Sequence, residues 1–481
     1  MSGTSLRSTR KGTGPLNAYI QMEIKVRELE GRSLLALVAA ERGHHAVLGD
    51  VERLLALRPD ALPPGVFHDK ALTPTARRFR IHGAIAAAGH VITSQDEEHF
   101  LALPSFDVPS RTRFSRRTLA AAARSFAWGE HEADALRVAY PDLADRVVVT
   151  GSPRADLWRP ELGQVHDRHR LPVAPGRPVV LVSSNFSAAL DVNPLWVRLR
   201  DKGERYDGID DPVEFDHYTF TAEKVLVLRE FVRAVRRIAR THPDALVVVR
   251  PHPIEQDGAW EDLIGPIPGV LITREGTLTA WVRRASVLIQ NGCTSGYEAA
   301  LVGTPTIAFH PHHIFADHPS NVFGHRAASH EELDAGIAAI LRGEDRGGRA
   351  ADGDAVLARR LAALSGPLAA DRIVDTWDEL APARSPAPTN MAVRSIRAAV
   401  RLGERAGAAK GRMTGRRVRP GRGGAFRTGH KLPPIRQSEV DGLVAAIRRA
   451  TGRFDSVTAR VLAPDLVAFR PTGRRPEGAR P

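Results

Sequence analysis

Short apolar runs alternate with longer amphipathic stretches along most of the chain, and this change of period marks a change of predicted element. In the first region, residues 15–165, the pattern predicts strands at 19–24, 46–48, 65–67, 90–93, 125–127 and 146–149 and helices at 28–42 and 129–140. Each connection between these strands is short or helical. The first region is therefore predicted to be an α/β domain in which helices cover a parallel sheet.

The same alternation returns after a break at residues 160–177, which is rich in Pro, Gly and His and is interpreted as a linker. In the second region, residues 175–381, strands are predicted at 179–182, 245–249, 270–273, 286–289 and 306–309, and helices at 221–241, 278–284 and 296–301. We therefore predict two doubly wound Rossmann-like domains, with the loops after the strands of both sheets facing a cleft.

The two ends of the chain are interpreted separately. Residues 1–14 are basic and hydroxyl-rich without an apolar core, which favours a disordered start over a secretory signal. Residues 382–481 begin with a Pro-rich spacer, continue into a basic segment, and end in a small alternating unit at 439–451 and 457–467. This third region is predicted to be a basic linker with a small C-terminal extension.

Charge changes this picture mainly in the third region. The 481-residue chain has a net charge of +13, and residues 392–431 contain twelve Lys/Arg against the single acid Glu404. Such a segment predicts an anionic partner, namely a membrane surface, nucleic acid or a polyanionic glycan. Nucleic acid is disfavoured because Phe426 is the only aromatic among these cations. Val393, Ile396, Val400 and Leu402 lie among arginines, so residues 394–431 are predicted to contact an anionic membrane peripherally.

Two absences exclude other classes of protein. The one cysteine, Cys293, excludes a disulfide framework and a zinc site built of thiolates. No apolar run approaches the roughly 18 residues that a membrane span needs.

His310, His312 and His313 form a histidine cluster, but nothing in the sequence places their nearest acid, Asp317, beside them, so no metal site is predicted.

A Gly-and-hydroxyl turn follows the predicted strand 286–289. Gly292, Thr294 and Ser295 lead into a helix that stops at Gly303, which predicts backbone N–H groups and hydroxyls at a helix N-terminus, a favourable place for a phosphate. Ser295 with Glu298 three residues later also fits a capping box, which would explain both residues without a ligand. Both interpretations of this turn remain open from the sequence.

A second polar loop follows the strand 245–249. Arg250 and His252 stand there, with His252 held between two prolines, and Ser183, Ser184 and Asn185 occupy the equivalent place after the strand 179–182. Because the carboxyl ends of parallel strands meet at one edge of a sheet, these residues are predicted to surround a nucleotide phosphate. His252 is also predicted to be catalytic, by stabilising the charge of the leaving phosphate. The alternatives are a loop histidine satisfied by its neighbours and ordinary turn chemistry.

Acidic residues in the first domain are candidates for proton transfer. Asp96, Glu97 and Glu98 follow the strand 90–93 and would act as general base toward an acceptor hydroxyl, unless they only begin a solvated helix. Glu28, at the start of the first long helix, and Arg154, after the last strand of the first domain, are further candidates for side chains that face the cleft.

These landmarks resemble the bacterial surface carbohydrate biosynthesis proteins, a family of GT-B-like fold. The likeness covers residues 20 to 315 and includes Ala40-Glu41-Arg42-Gly43-His44, Thr150-Gly151-Ser152-Pro153-Arg154, Ser184-Asn185-Phe186-Ser187, Arg250-Pro251-His252-Pro253-Ile254-Glu255 and the block 291–305. More distantly, His252-Pro253 and Thr294-Ser295 look like two motifs of transferases that use CMP-sialic acid or CMP-Kdo. The acidic motif of the sialyltransferases ends in glycine, whereas His99 stands here.

The resemblance implies a glycosyltransferase-like enzyme that moves a sugar from a nucleotide-activated, for example CMP-linked, donor to a glycan or lipid-linked acceptor in surface polysaccharide biosynthesis. It implies phosphate binding by the polar loops of the second domain, with Glu298 near the ribose of the nucleotide. It also implies a metal-independent reaction without cofactor, and a place at the cytoplasmic face of the membrane. Three alternatives remain: a CDP-glycerol-type glycerophosphotransferase, a nucleotide-sugar 2-epimerase, and a non-catalytic anion-binding protein.

Overall fold

The computed structural model describes residues 15–97, 107–191, 193, 195, 217–314, 316–344, 352–380, 387–413 and 431–472. These residues form two α/β units, each built on its own mainly parallel sheet. The predicted fold class, two doubly wound Rossmann-like domains, is confirmed. Glu98 and residues 414–430 of the basic segment lie outside the described residues.

The first sheet has the order β13-β14-β2-β1-β3-β4-β5-β6. Its parallel strands are β1 (Asn17–Gln21), β2 (His45–Gly49), β3 (Val66–Asp69), β4 (Val91–Ser94), β5 (Arg124–Ala127) and β6 (Val147–Val149). The helices between them are α1 (Lys25–Glu41), α2 (Val51–Leu57), α3 (Ala76–Ala87), α4 (Asp107–Thr112), α5 (Arg116–Ala121), α6 (Glu130–Ala139) and α7 (Pro153–Asp156). The strand order reverses between β1 and β3, and loops at the carboxyl ends of such strands form a crevice.

The second sheet is wholly parallel and has the order β12-β11-β10-β7-β8-β9. Its strands are β7 (Val179–Ser183), β8 (Leu246–Arg250), β9 (Val270–Ile272), β10 (Val287–Gln290), β11 (Thr306–Phe309) and β12 (His325–Ala327). Its helices are α8 (Ser187–Leu190), α9 (His217–Thr241), α10 (Ala259–Ile264), α11 (Leu278–Arg284), α12 (Ser295–Val302) and α13 (His330–Leu341). Here the order reverses between β7 and β10, so the predicted phosphate turn after β10 lies at the usual ligand position of such a sheet.

The chain returns to the first domain after α13, which the sequence pattern did not reveal. Two helices follow, α14 (Gly353–Arg360) and α15 (Ala369–Leu380). The backbone N–H of Ala362 donates to the carbonyl of Trp128 at 2.7 Å. The carboxylate of Asp156 accepts from the first amides of α15, Ala369 at 2.9 Å and Ala370 at 3.1 Å. Residues from α14 onward therefore pack on the first domain, although the sequence boundary of the second domain was placed at 381.

The C-terminal segment is part of the first domain. It contains α16 (Asn390–Met413), α17 (Gln437–Thr451) and the hairpin β13 (Val457–Ala463) and β14 (Leu466–Pro471). Strand β14 pairs antiparallel with β2 and so extends the first sheet. The reason lies in α1, which is buried without interruption from Glu28 to Ala40 and needs cover on every side. Helix α17 supplies part of that cover through Leu443 and Ile447, which share one core with α1.

The membrane interpretation of α16 requires a correction. Val393 and Val400 are buried, and Ile396 packs against the same core as they do. The side chain of Arg397 forms an ion pair with Asp465 of the hairpin. The apolar face predicted to enter a lipid surface therefore packs on the protein itself. Of the four apolar residues, Leu402 alone is exposed, and a contact of residues 394–431 with anionic lipid stays a prediction based on charge.

Within the described part of the chain, no helix combines the length and the apolar character that crossing a membrane requires.

A buried carboxylate links α1 to the segment between the domains. Glu30 lies 2.5 Å from Arg168, 2.9 Å from His169 and 3.3 Å from His166. Burial raises the pKa of Glu30, but hydrogen bonds from the histidines and the charge of Arg168 lower it more, to well below 4.5. Burial alone would lower the pKa of His166. The hydrogen bond and the charge of Glu30 raise it by more, so the pKa lies above 6.5.

We expect Glu30→Gln to cost more stability at about pH 5.5 than at about pH 8.5, with a difference of about 1 kcal/mol. The Glu30 contribution is present above pH 4.5 and is lost as pH falls through its lower folded pKa. The His166 contribution is present below pH 6.5 and is lost as pH rises through its higher folded pKa. Urea unfolding at both pH values measures the difference, with the exposed Glu261→Gln as control. A larger loss at the higher pH would contradict this assignment.

Candidate functional site

The loop after β7 holds the turn after β10. The side-chain amide of Asn185 donates to the carbonyls of Asn291 at 3.2 Å and Gly292 at 3.1 Å. Inside the turn, the N–H of Cys293 donates to Gln290 Oε1 at 3.0 Å. Asn185 thus lies next to the turn, but its side-chain amide, which was expected to bind phosphate, fixes the backbone of the turn instead.

Glycine is required at position 292 for two reasons. Its φ is +57°, which is left-handed, and a Cβ there would lie 2.5 Å from the ring of His318. Gly303, at the other end of α12, has φ +85°, but a Cβ added there would meet nothing within 4 Å. A comparison of substitutions at the two positions therefore separates the cost of backbone strain from the cost of the steric contact with His318.

We expect Gly292→Ala to destabilise the protein by about 2 kcal/mol or more, since left-handed strain of about 1–2 kcal/mol adds to displacement of the His318 ring. Gly303→Ala should cost only the strain. Denaturant unfolding of the two variants checks the difference, and equal losses would mean that the His318 contact relaxes without cost.

The capping box predicted for α12 does not form. The helix begins at Ser295, the N-cap position belongs to Thr294, and no side chain caps it. Ser295 Oγ is buried and has no hydrogen-bond partner in the described residues. Glu298 instead accepts from Thr279 Oγ1 of α11. Of the two interpretations that the sequence left open, the capping box is thus not formed, because Thr294 rather than Ser295 occupies the N-cap position and Glu298 is directed toward α11.

Arg154 extends from the first domain toward this helix. Its guanidinium lies 3.9 Å from Glu298 Oε2 and 5.3 Å over the ring of Trp158. Among the described residues it forms no hydrogen bond through its side chain, although only 14% of that side chain is exposed. Burial lowers the pKa of Arg154, while the charge of Glu298 opposes that shift. The close approach of α7 to α1 needs Gly31, where a Cβ would lie 2.8 Å from the Arg154 backbone.

Glu97 and Glu28 lie on the first-domain side of the same cluster. Glu97 forms an ion pair with Arg32 at 3.0 Å, and burial raises its pKa against the opposing charge of Arg32. Glu28 accepts from the backbone N–H of Glu23 at 2.8 Å and from Arg27 at 3.1 Å. The charges of Glu28 and Arg154 both act on Glu97. The structure therefore brings together Glu28, Glu97, Arg154 and Glu298, which the sequence marked separately.

Asp96 takes a different role from the predicted one. Its buried carboxylate is bound on both oxygens by Arg113, at 2.7 and 2.8 Å. Its backbone carbonyl accepts from Trp128 Nε1 at 2.8 Å. A carboxylate neutralised in this way is a weak base. The expectation that Asp96 acts as general base is therefore corrected. Of the three acidic residues after β4, Glu97 is then the candidate for proton transfer that the structure describes.

Arg250 is also used internally. Its guanidinium donates to the carbonyls of Thr273, Glu275 and Gly276 at 2.6, 3.0 and 2.9 Å. Burial lowers its pKa to about 10. The expectation that Arg250 contacts phosphate is therefore corrected: it braces the loop after β9.

Glu255, which the site predictions omitted, organises the loops around β7 and β8. Its buried carboxylate accepts from Ser184 Oγ at 2.7 Å, Phe186 N at 2.9 Å, Trp260 Nε1 at 3.0 Å and His252 N at 3.0 Å. Ser184 is thereby corrected from a phosphate ligand to a support of this carboxylate, and Ser183 is the buried last residue of β7. The half-buried ring of His252 accepts from Ile254 N at 3.4 Å.

Lys224 of α9 is a cation near the turn that sequence reasoning missed. It is buried, and burial lowers its pKa to about 8 while the charges of Glu223 and Glu255 oppose the shift. Its charge also acts on His310, at the end of β11. Nothing in an amphipathic helix distinguishes this lysine, so the sequence held no signal for it.

No group of three or more His, Cys, Asp or Glu suited to a metal ion occurs among the described residues. Metal independence stays a prediction.

The chain aligns over about three quarters of its length with several solved structures. The chain aligns with Staphylococcus aureus MnaA in complex with UDP at a TM-score of 0.44 and 11% identity, covering 78% of this chain and 100% of that one. It aligns with Neisseria meningitidis UDP-GlcNAc 2-epimerase bound to UDP-GlcNAc at a TM-score of 0.42 and 11% identity, covering 75% of this chain and 98% of that one. It aligns with the wall teichoic acid polymerase TagF at a TM-score of 0.41 and 10% identity, covering 76% of this chain and 89% of that one.

No protein-family profile and no curated protein matches the sequence. The fold assignment rests on the two sheets described above, and the resemblance to CMP-sugar transferases stays a prediction.

Proposed function

We propose that the protein is a GT-B-like enzyme that acts on a nucleotide-activated sugar. The substrate's phosphates bind between the N-terminus of α12 and Arg154. The observation that carries this proposal is Arg154 itself, a guanidinium that is largely buried, forms no side-chain hydrogen bond among the described residues, and lies beside an uncapped helix N-terminus. Both groups favour an anion. The guanidinium supplies several N–H donors, and the helix N-terminus supplies the positive end of the helix dipole.

The chemistry follows from the residues on either side of this anion site. Thr294 and Ser295 offer hydroxyls to phosphate oxygens, and Lys224 adds a second cation. As a leaving nucleotide gains negative charge, Arg154 and the helix end stabilise it more strongly than they stabilise the bound substrate. Glu97, whose pKa is raised by burial, accepts the proton of an attacking hydroxyl.

The finer proposal is a glycosyltransferase of surface polysaccharide biosynthesis, with a glycan or lipid-linked acceptor on the first domain. CDP-glycerol remains an alternative donor on the same architecture, because the anion site does not select the group attached to the phosphate.

A 2-epimerase is the second candidate, and one observation favours it. Burial raises the pKa of Glu97 in the first domain and of Glu298 in the second, with Arg154 acting on both. Two carboxyls that hold and release protons on opposite sides of a substrate suit removal and return of a proton on a sugar carbon.

The test begins with calorimetric titration of UDP, CDP, GDP and CMP into the protein. We expect at least one to bind in the micromolar range and Thr294→Val to weaken it, with the distant Thr241→Val as the matched control. Activated donors that carry the binding nucleotide then separate the candidates. A transferase releases nucleotide only with acceptor present, whereas an epimerase converts the sugar and returns it attached. Absence of binding by all four nucleotides at millimolar concentration would overturn the proposal.

A further inference from the structure

A second polar cluster lies in the first domain beneath α1, at the carboxyl ends of β3 and β4. Arg32 extends from α1, His68 stands on β3, and Gln95 and Glu97 follow β4. The Arg32 guanidinium lies 3.0 Å from Glu97 Oε1 and 3.5 Å from the carbonyl of Gln95. Burial lowers the pKa of His68, and the charge of Arg32 lowers it further. Arg32 therefore interacts with each of the other three residues of the cluster.

Each member of this cluster has a buried polar atom without a partner in the described residues. These atoms are Nε and Nη1 of Arg32, Oε1 of Gln95, Oε2 of Glu97 and Nε2 of His68. All four residues are at least nine-tenths buried. Buried polar groups are nearly always hydrogen-bonded, so open donors and open acceptors concentrated in one place indicate an occupant that supplies both.

We propose that Arg32, His68, Gln95 and Glu97 form a subsite for the hydroxyl groups of an uncharged polyhydroxyl moiety. Arg32 and Glu97 cancel each other's charge, so an anion gains nothing here, in contrast to the site at Arg154. A hydroxyl donates one hydrogen bond and accepts others, which matches the donors of Arg32 and the acceptors of Gln95 and Glu97.

The subsite adjoins the proposed phosphate site. The Gln95 amide donates to the carbonyl of Gly151, in the loop that leads to Arg154, at 2.7 Å. The charge of Arg154 acts on Glu97. A molecule with a phosphate at Arg154 thus reaches the cluster with its neighbouring hydroxylated group, and this inference rests on the proposed function to that extent. The hydroxyls come either from the group that the nucleotide activates or from the acceptor.

Arg32→Lys is the variant of choice, because lysine keeps the ion pair with Glu97 and removes the open Nε and Nη1 donors. Calorimetry compares UDP with UDP-N-acetylglucosamine, and CDP with CDP-glycerol. If the activated group occupies the subsite, the variant binds UDP or CDP within about twofold of the parent, and the extra affinity of the larger molecule falls about tenfold or more.

An acceptor in the subsite gives a different pattern, in which free N-acetylglucosamine, followed by ligand-observed NMR, binds the parent and not the variant. Gln95→Met is the second variant if Arg32→Lys lowers the melting temperature, and Arg124→Lys is the control. Unchanged affinity for every probe in a folded variant would mean that ordered water alone fills the cluster. If no nucleotide binds the parent, the proposed function fails and the monosaccharide measurement still decides the subsite.

Discussion

Arg154→Met is expected to reduce kcat/KM by about a hundredfold to a thousandfold, because loss of a charge-assisted donor to a phosphate in a buried site costs about 3–4 kcal/mol. Nucleotide affinity should fall with it. The side chain forms no hydrogen bond among the described residues, so its removal breaks none of them. Glu298, whose pKa burial already raises, takes up a proton when its cation is lost. Folding should therefore survive the substitution with little change in melting temperature.

Two controls define this result. Arg342→Met removes an exposed arginine that pairs with its neighbour Glu344 and should leave turnover unchanged. Arg154→Lys keeps the charge without the fork and should retain part of the affinity, as expected for a bidentate contact. Steady-state rates and calorimetry measure both effects. Near-normal turnover in Arg154→Met would remove the phosphate role from this residue.

Removal of residues 431–481 is expected to prevent folding of the first domain. The deletion takes away α17, β13 and β14, and with them buried core residues such as Leu443, Ile447 and Phe469. Each large apolar side chain contributes about 1.5–3 kcal/mol on burial, whereas a whole domain is stable by only about 5–15 kcal/mol. Circular dichroism and the yield of soluble protein report the outcome.

Deletion of residues 473–481 alone is the matched control and should leave the melting temperature unchanged, since β14 ends at Pro471. A soluble, cooperatively unfolding protein that ends at residue 430 would show instead that β2 and α1 tolerate exposure. The tail's charge is better tested by reversing Arg416, Arg417, Arg419 and Arg422 and measuring binding to anionic vesicles, because this change leaves the hairpin in place.

Much of the fold follows from local pattern. The helix predicted at 278–284 matches α11 (Leu278–Arg284) to the residue, and the glycine-rich turn after β10 leads into α12 as expected. These elements rest on hydrophobic period and on turn residues, both of which are local. The return of the chain through α14 and α15, and the pairing of β14 with β2, depend on contacts between residues hundreds of positions apart. The hydrophobic periodicity of a segment and the helix or strand propensity of its residues carry no information on such contacts.

The site divides in the same way. Glu28, Glu97 and Arg154 were marked because each follows a strand or opens a helix at the carboxyl edge of a sheet, and the structure places them near one another. Their function at a site stays a prediction. The errors came from pairings over distance. Asp96 was expected to accept a proton, and the partner that neutralises it, Arg113, stands 17 positions away. Arg250 was expected to face phosphate, and it binds carbonyls of a different loop.

The second sheet uses one uninterrupted stretch of chain, from β7 to β12, whereas the first sheet takes its parallel strands from the beginning of the chain and its hairpin from the end. A ribosome therefore makes the hairpin after every strand of the second sheet. During synthesis the second domain has all of its strands while the first still lacks β13 and β14 and the cover over α1. The domain whose synthesis begins first is thus completed after the second domain, and until the hairpin is made the exposed edge of β2 is open to pairing with other chains.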